Sequence, residues 1–255
     1  MSNIVAIARK ELKGYFSSPI AFIVVGFFAL MFGLFYAPMI FAFERQSLEP
    51  AGLGGAPPNV NESVIRPLFH NAAVIMLFIL PMITMRTYSE EKRSGTIELL
   101  LTAPLTDLQI ILGKFFGAMA LYVLMLAITL LHIGFLFAVG NPDWRPVATG
   151  YLGLLLLGGC FISVGLLLSS LTKNQIVAGI MTFGVFLALW VVNWGAQFAS
   201  TPWVQDVLNY LSLTGHLDDF TLGVIDTKHL VAYLSFIVFG LFLTARSVDA
   251  ERWRG

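Results

Sequence analysis

Few side chains in this sequence are spaced for covalent chemistry. The four histidines, His70, His132, His216 and His229, are scattered and no H-E-x-x-H occurs, so a metal site is unsupported. There is no G-x-x-x-x-G-K-[ST] either. Gly113-Lys114 is followed by Phe115 and lacks a phosphate cradle, so this chain does not hydrolyse ATP by that route. The single cysteine, Cys160, excludes an intramolecular disulfide framework and lies in an apolar run that suits packing. His132 stands alone among apolar residues, where a histidine is more often a hydrogen-bonded packing group than a proton relay. What the residues do support is charge pairing and docking, and both concentrate between Arg86 and Lys114.

That stretch reads RTYSEEKRSGTIELLLTAPLTDLQIILGK. Arg86, Glu90, Glu91, Lys92 and Arg93 form a charged collar that hydrocarbon does not accommodate. Ser94-Gly95 predicts a helix stop, because glycine takes the left-handed C′ conformation cheaply. Thr96 is placed to cap a new helix, with Glu98 in its first turn where the macrodipole favours an anion. Pro104 ends that helix within about two turns, having no N–H and clashing with the preceding turn. Thr106-Asp-Leu-Gln109 is a capping box that starts the next helix. The short helix carries Ile97, Leu100 and Leu101 at i, i+3, i+4, with Leu105 just beyond. This apolar face is too small for a core of its own. It suits an interfacial helix on lipid headgroups and a docking knob for a soluble subunit equally well.

The elements that position this segment are membrane spans. Hydrophobic residues make up 57% of the 255 and charged residues 12%, about half the globular norm of roughly 25%. Runs near 20 apolar residues cross a bilayer. Six are expected: Ile20 to Phe43, Leu68 to Met85 with Pro81 kinking its end, Phe115 to Val139, Tyr151 to Leu171, Ile176 to Phe198, and a short one from His229 to Thr244. The fold class is therefore an all-α polytopic membrane protein, one transmembrane domain over 1–255. Glu44 to Pro67, rich in glycine and proline, has no clear periodicity and is expected to be a mobile loop. Ala245 to Gly255 reads as a charged tail. The central parts of the spans hold no Asp, Glu, Lys or Arg, which argues against an ion-coupled carrier.

Six spans put both termini on one side. That side carries eleven of the fifteen Lys and Arg residues and the other side four, so the positive-inside rule places both termini and residues 86–114 in the cytoplasm. Residues 1–18 form an amphipathic helix for the headgroup layer. Ile4, Val5, Ile7, Ala8, Leu12, Tyr15 and Phe16 lie on one face, and Arg9, Lys10 and Lys13 on the other. Glu11 falls within the apolar arc, where it either snorkels or pairs with a basic group of the cytoplasmic loop. Gly113 and Gly117 form a G-x-x-x-G that lets another helix approach closely. Residues 199–228 are external and too apolar for a free loop. They read either as amphipathic helices in the outer interface, with Trp190, Trp194 and Trp203 as belt residues, or as a partly inserted hairpin forming a gate.

The stretch Glu90 to Lys114 resembles the cytoplasmic coupling segment of ABC-2 type transporter permeases, most nearly the gliding-motility-type branch, on Glu91, Gly95, Thr96, Glu98, Leu99, Leu100, Pro104, Gly113 and Lys114. The R-K-E-L start at Arg9 to Leu12 resembles the family's N-terminal connecting helix. Leu211 to Phe236 resembles its segment before the last span, on His216, Phe220, Gly223, Asp226 and Tyr233. The resemblance implies a permease subunit of an ATP-driven transporter in the bacterial inner membrane. Glu91, Gly95, Thr96, Ile97, Glu98, Leu99, Leu100, Leu101 and Pro104 would dock a separate ABC ATPase present in two copies, with Arg9, Lys10, Glu11 and Lys13 on the interfacial helix and His216, Phe220 and Asp226 at an external gate. It further implies ATP and Mg on that partner and no cofactor on this chain. A second permease copy or paralogue, surrounding lipids and a membrane-anchored auxiliary subunit with an external domain complete the expected assembly, with no nucleic acid. The competing class is a membrane-embedded scaffold or enzyme without transport, whose signature would be a cluster of polar catalytic groups at one membrane depth.

Overall fold

The computed structural model describes residues 2–48, 59–102, 104–198 and 201–252, and among these it is helical throughout, with no strand. The helices are α1 (Ser2–Phe16), α2 (Pro19–Leu48), α3 (Arg66–Thr84), α4 (Ser89–Ser94), α5 (Ile97–Thr102), α6 (Asp107–Val139), α7 (Trp144–Ser170), α8 (Gln175–Phe198), α9 (Pro202–Leu211), α10 (Gly215–Thr221) and α11 (Thr227–Arg252). Six stretches are long and apolar enough to cross a bilayer, built on α2, α3, α6, α7, α8 and α11. This is the all-α polytopic architecture expected.

α7 is the central post. It packs against α11, α3, α10, α8 and α6, and 78% of its span is buried. Its small residues make this possible. A Cβ at Gly150 would overlap the Phe69 ring of α3, one at Gly158 the Tyr122 ring of α6, and one at Gly165 the Thr84 side chain. Helices in lipid gain little from the hydrophobic effect between them, so close backbone approach through small residues is the main packing device. α2 and α8 show the opposite character. Only 22% and 17% of their spans are buried, and Phe22, Ile23, Phe27 and Leu30 of α2 and Ile176 and Ile180 of α8 are exposed. Such surfaces suit lipid or another apolar helix.

The two ends of the bundle are each tied by contacts far apart in sequence. One end, the terminal face, joins α1 to α6, Lys92 of α4 to Glu251 of α11 at 2.8 Å, and Ser170 to Ser247 at 2.8 Å. At the other end Asn61 donates to the Asp143 carbonyl at 2.8 Å and accepts from the Asp143 N–H at 2.9 Å, while Thr149 reaches the Phe220 carbonyl.

Three expectations need correction. Part of Glu44 to Pro67 is ordered: α2 runs on to Leu48, and Asn61–Ile65 forms a π-helical turn with Asn61, Val64 and Ile65 buried. Val64 and Ile65 pack into the core, and Asn61 satisfies the loop before α7, so the segment is fastened without helical periodicity in its sequence. Residues 49–58 lie outside the described residues. The last span is not short. α11 continues through the supposed tail to Arg252, because the Glu251 carboxylate finds Lys92 one face away. Finally, α1 does more than lie among headgroups: it packs along the start of α6, and Ile7 and Tyr15 are buried, although Val5 points outward.

Candidate functional site

The terminal face is built by local signals that the sequence spells out. Gly95 ends α4 with φ of +72°, the left-handed stop that a Cβ would oppose. Thr96 precedes α5, its hydroxyl 2.9 Å from that of Ser94. α5 ends at Thr102, two residues before Pro104. The capping box then starts α6: Thr106 Oγ1 accepts the Gln109 N–H at 3.3 Å and Gln109 Oε1 accepts the Thr106 N–H at 3.3 Å. The Thr106→Ala variant is expected to lose ~1 kcal/mol of stability, with faster amide exchange at Gln109, while Thr106→Ser keeps both.

Gly113 and Gly117 of α6 admit α1. A Cβ at Gly113 would lie 2.6 Å from Ile7 Cβ, and one at Gly117 2.6 Å from Glu11 Cβ. The close approach predicted from G-x-x-x-G is therefore made by α1. It delivers Glu11 to Lys114, whose side chain is 1% exposed. Lys114 Nζ donates to Glu11 Oε1 at 3.0 Å and to the Thr87 carbonyl at 2.9 Å, and lies 2.9 Å from Glu91 Oε2. The Tyr88 ring sits beneath it, with the ammonium 5.0 Å from the ring centroid. Lys10 closes the network from the solvent side, 3.3 Å from Glu91 and 3.9 Å from Glu11. Two ammonium groups thus face two carboxylates, a balanced set drawn from α1, α4 and α6. Of the two readings open for Glu11, pairing with a basic group of the 86–114 segment is the one realised. Tyr15 of α1 also reaches this region, 3.4 Å from both the Ile83 carbonyl and Thr87 Oγ1, and burial raises its phenol above the ordinary value.

The docking face expected on α5 is turned partly inward. Ile97 is buried against the core, Leu100 is half-buried, and Glu98 and Leu99 are exposed, Leu99 at 72%. The side chain of Leu101 lies outside the described residues. Glu91 faces Lys114 rather than solvent, whereas Arg9, Lys10 and Lys13 are exposed. A cleft of about 460 Å³ opens between α1 and α4, lined by Lys10, Glu11, Tyr15, Arg86, Glu90 and Thr96 among others.

On the opposite face, α10 is folded into the bundle. Leu217 and Phe220 are fully buried, against Gly153 of α7, and His216 is 5% exposed. α10 thus packs into the bundle, while Trp203 of α9 is exposed. The side chain of Trp194 lies outside the described residues. His216 and His229, unrelated by any motif in sequence, meet in space, and His70 reaches the same helix α10. His216 contacts His229, His229 Nε2 lies 2.7 Å from Asp219 Oδ2, and His70 Nε2 lies 2.8 Å from Asp218 Oδ1. The His70 hydrogen bond, with Arg66 at 3.6 Å, holds the Asp218 carboxyl below its usual range, while burial holds His216 below its own. Contacts of α10 with α11 and with α3 make these pairs, and no spacing rule anticipates them. His132 packs edge-on against Phe32 and Tyr36, and buried Cys160 approaches the Tyr233 carbonyl at 3.5 Å, as packing residues do.

Six apolar spans, a charged and interlocked segment on one face and a folded polar cap on the other define a multi-pass helical membrane protein. Residues 46–215 match the family described as ABC-2 family transporter protein, and the chain belongs to that family. It is similar to the probable multidrug ABC transporter permease YbhR of Escherichia coli strain K12 and of Escherichia coli O157:H7. Each is 28% identical over 194 residues, covering 70% of this chain and 50% of the relative. The chain therefore spans half the length of the curated relatives it matches.

Proposed function

We propose that this chain is the membrane-spanning subunit of an ABC-2 type ATP-driven transporter, in the bacterial inner membrane with both termini cytoplasmic. A separate ABC ATPase, in two copies, would dock on the α4–α5 segment of residues 86–114, bringing ATP and Mg, and hydrolysis would take place on that partner. The observation that carries the reading is an exposed Leu99 and Glu98 set beside a base tied by ion pairs. A push on α5 would pass through Gly95 into α4, and from there by Glu91–Lys114–Glu11 to α6 and α1 and by Lys92–Glu251 to α11. Ion pairs buried at this depth resist shear, so the helices would tilt as rigid levers. A second copy or a paralogue would supply the facing half of the pathway.

Within the family, the motifs around Gly95 and Asp226 favour the gliding-motility-type branch and hence an auxiliary subunit with an external domain. Residues 1–18 serve as connecting helix, 86–114 as coupling segment, and 199–228 as external segment with His216, Phe220 and Asp226 at the gate. Uncharged spans fit lipidic, polysaccharide or peptide-like cargo.

The test is purification of the chain from its native membrane in mild detergent, with co-purifying polypeptides identified. A stoichiometric ATPase carrying a Walker motif is expected. Leu99→Asp, at an exposed position, should remove it and abolish coupled ATP hydrolysis without changing the yield of folded permease. Isolation of the chain without any ATPase, or full transport by the variant, would overturn the reading and favour a membrane scaffold.

A further inference from the structure

We propose that Ser169 of α7 is a positioning residue for coupling: it caps α4 from a neighbouring helix and so links the 86–114 segment to α10 on the opposite face. This role rests on the transporter reading and adds a route through α7 to those through α6, α1 and α11.

A helix start leaves N–H groups without acceptors of its own. α4 begins after Tyr88, whose side chain makes no cap. Thr84, Thr87, Tyr88 and Ser89 are all buried, so water does not serve the amides of this corner. The Ser169 hydroxyl, itself fully buried, serves them instead. Its Oγ accepts the Tyr88 N–H at 3.0 Å and the Ser89 N–H at 3.2 Å, and donates to the Met85 carbonyl at 2.9 Å. A hydroxyl has one proton and two lone pairs, and here all three are used on one corner. The Ser89 hydroxyl also donates to the Met85 carbonyl, but that bond stays within the corner. Ser169 is what ties the corner to α7. Gly165, one turn earlier, lets α3 come close enough, since a Cβ there would overlap Thr84.

The corner is where a push must turn. Met85 follows α3 and Arg86 begins the charged collar, so a displacement of α4 passes through these residues. Hydrogen bonds weaken steeply away from linear, so three of them on one oxygen make α7 follow the corner rather than slide past it. α7 is one helix from Trp144 to Ser170. Roughly 30 Å away, at about 1.5 Å per residue, its other end grips α10. Thr149 Oγ1 donates there to the Phe220 carbonyl, and Gly153 seats Leu217 and Phe220. Movement of α4 thus reaches the external cap without passing through Lys114.

The test uses the full chain with its co-purified ATPase, reconstituted in lipid vesicles, and follows amide exchange with and without ATP and magnesium. In the wild-type complex ATP should change exchange across α10. Ser169→Ala should speed exchange at Tyr88 and Ser89 by about tenfold, the equivalent of one lost hydrogen bond, and should remove the α10 response while ATP hydrolysis continues. A cap that only stabilised the fold would leave that response in place. Thr149→Val, at a half-buried position, should weaken the α10 response with Tyr88 and Ser89 unchanged, and it decides the matter should Ser169→Ala not fold. An α10 response equal to wild type in the folded variants would overturn this role and leave the transporter reading standing, as would a wild-type complex that hydrolyses ATP with no change at α10. A chain that binds no ATPase would overturn the transporter reading, and this role with it.

Discussion

Replacing Lys114 with alanine should cost about 3–5 kcal/mol of stability and leave little folded protein. The reason is not the loss of a favourable pair but what remains. Glu11 and Glu91 would face each other from α1 and α4, 13% and 15% exposed, with no ammonium between them and the Thr87 carbonyl unsatisfied. Lys10 approaches only from the solvent side. Glu11→Gln should cost much less, since Lys114 keeps Glu91 and the carbonyl. Denaturation of the purified variants in one detergent, followed by helical circular dichroism, measures the difference. Equal losses in Lys114→Ala and Glu11→Gln would show that the carboxylates are hydrated and the network is not a buried one. Combining the two changes should restore part of the loss, because Glu91 is then the one remaining carboxylate and Lys10 still lies 3.3 Å from it.

Gly158→Leu should prevent the bundle from forming, and Gly158→Ala should lose about 1–3 kcal/mol. The Cβ alone overlaps the Tyr122 ring, which is fully buried with its hydroxyl committed to the Leu154 carbonyl at 2.6 Å. The ring cannot rotate away without breaking that bond, so α7 and α6 must separate. Gly134 in α6 is the control. A Cβ there meets nothing within 4 Å, and Gly134→Ala should be neutral or stabilising by up to ~1 kcal/mol from helix propensity. The monodisperse fraction on size-exclusion chromatography reports both. A well-folded Gly158→Leu variant would mean that α7 is not the close-packed post described here.

Much of this protein is determined by its sequence alone, because the signals are local. A run of about 20 apolar residues commits a segment to a span wherever its neighbours lie. The stop at Gly95 and the capping box from Thr106 to Gln109 act within four residues. Even the Gly113–Gly117 approach could be anticipated, though not that α1 would make it. Only the tertiary structure decided the rest, since it depends on partners distant along the chain. Glu11 and Lys114 are 103 residues apart and Lys92 and Glu251 are 159 apart. A charged tail therefore reads as loose until its carboxylate is seen to meet a buried ammonium. Helical spacing puts Ile97 on a docking face, but spacing defines a face without saying which way it turns. The packing of α4 and α5 turned it inward and left Leu99 outside. His216 and His229 likewise look unrelated in sequence. They meet because α10 folds back on α11, where burial makes each polar group seek a partner it would not need in water.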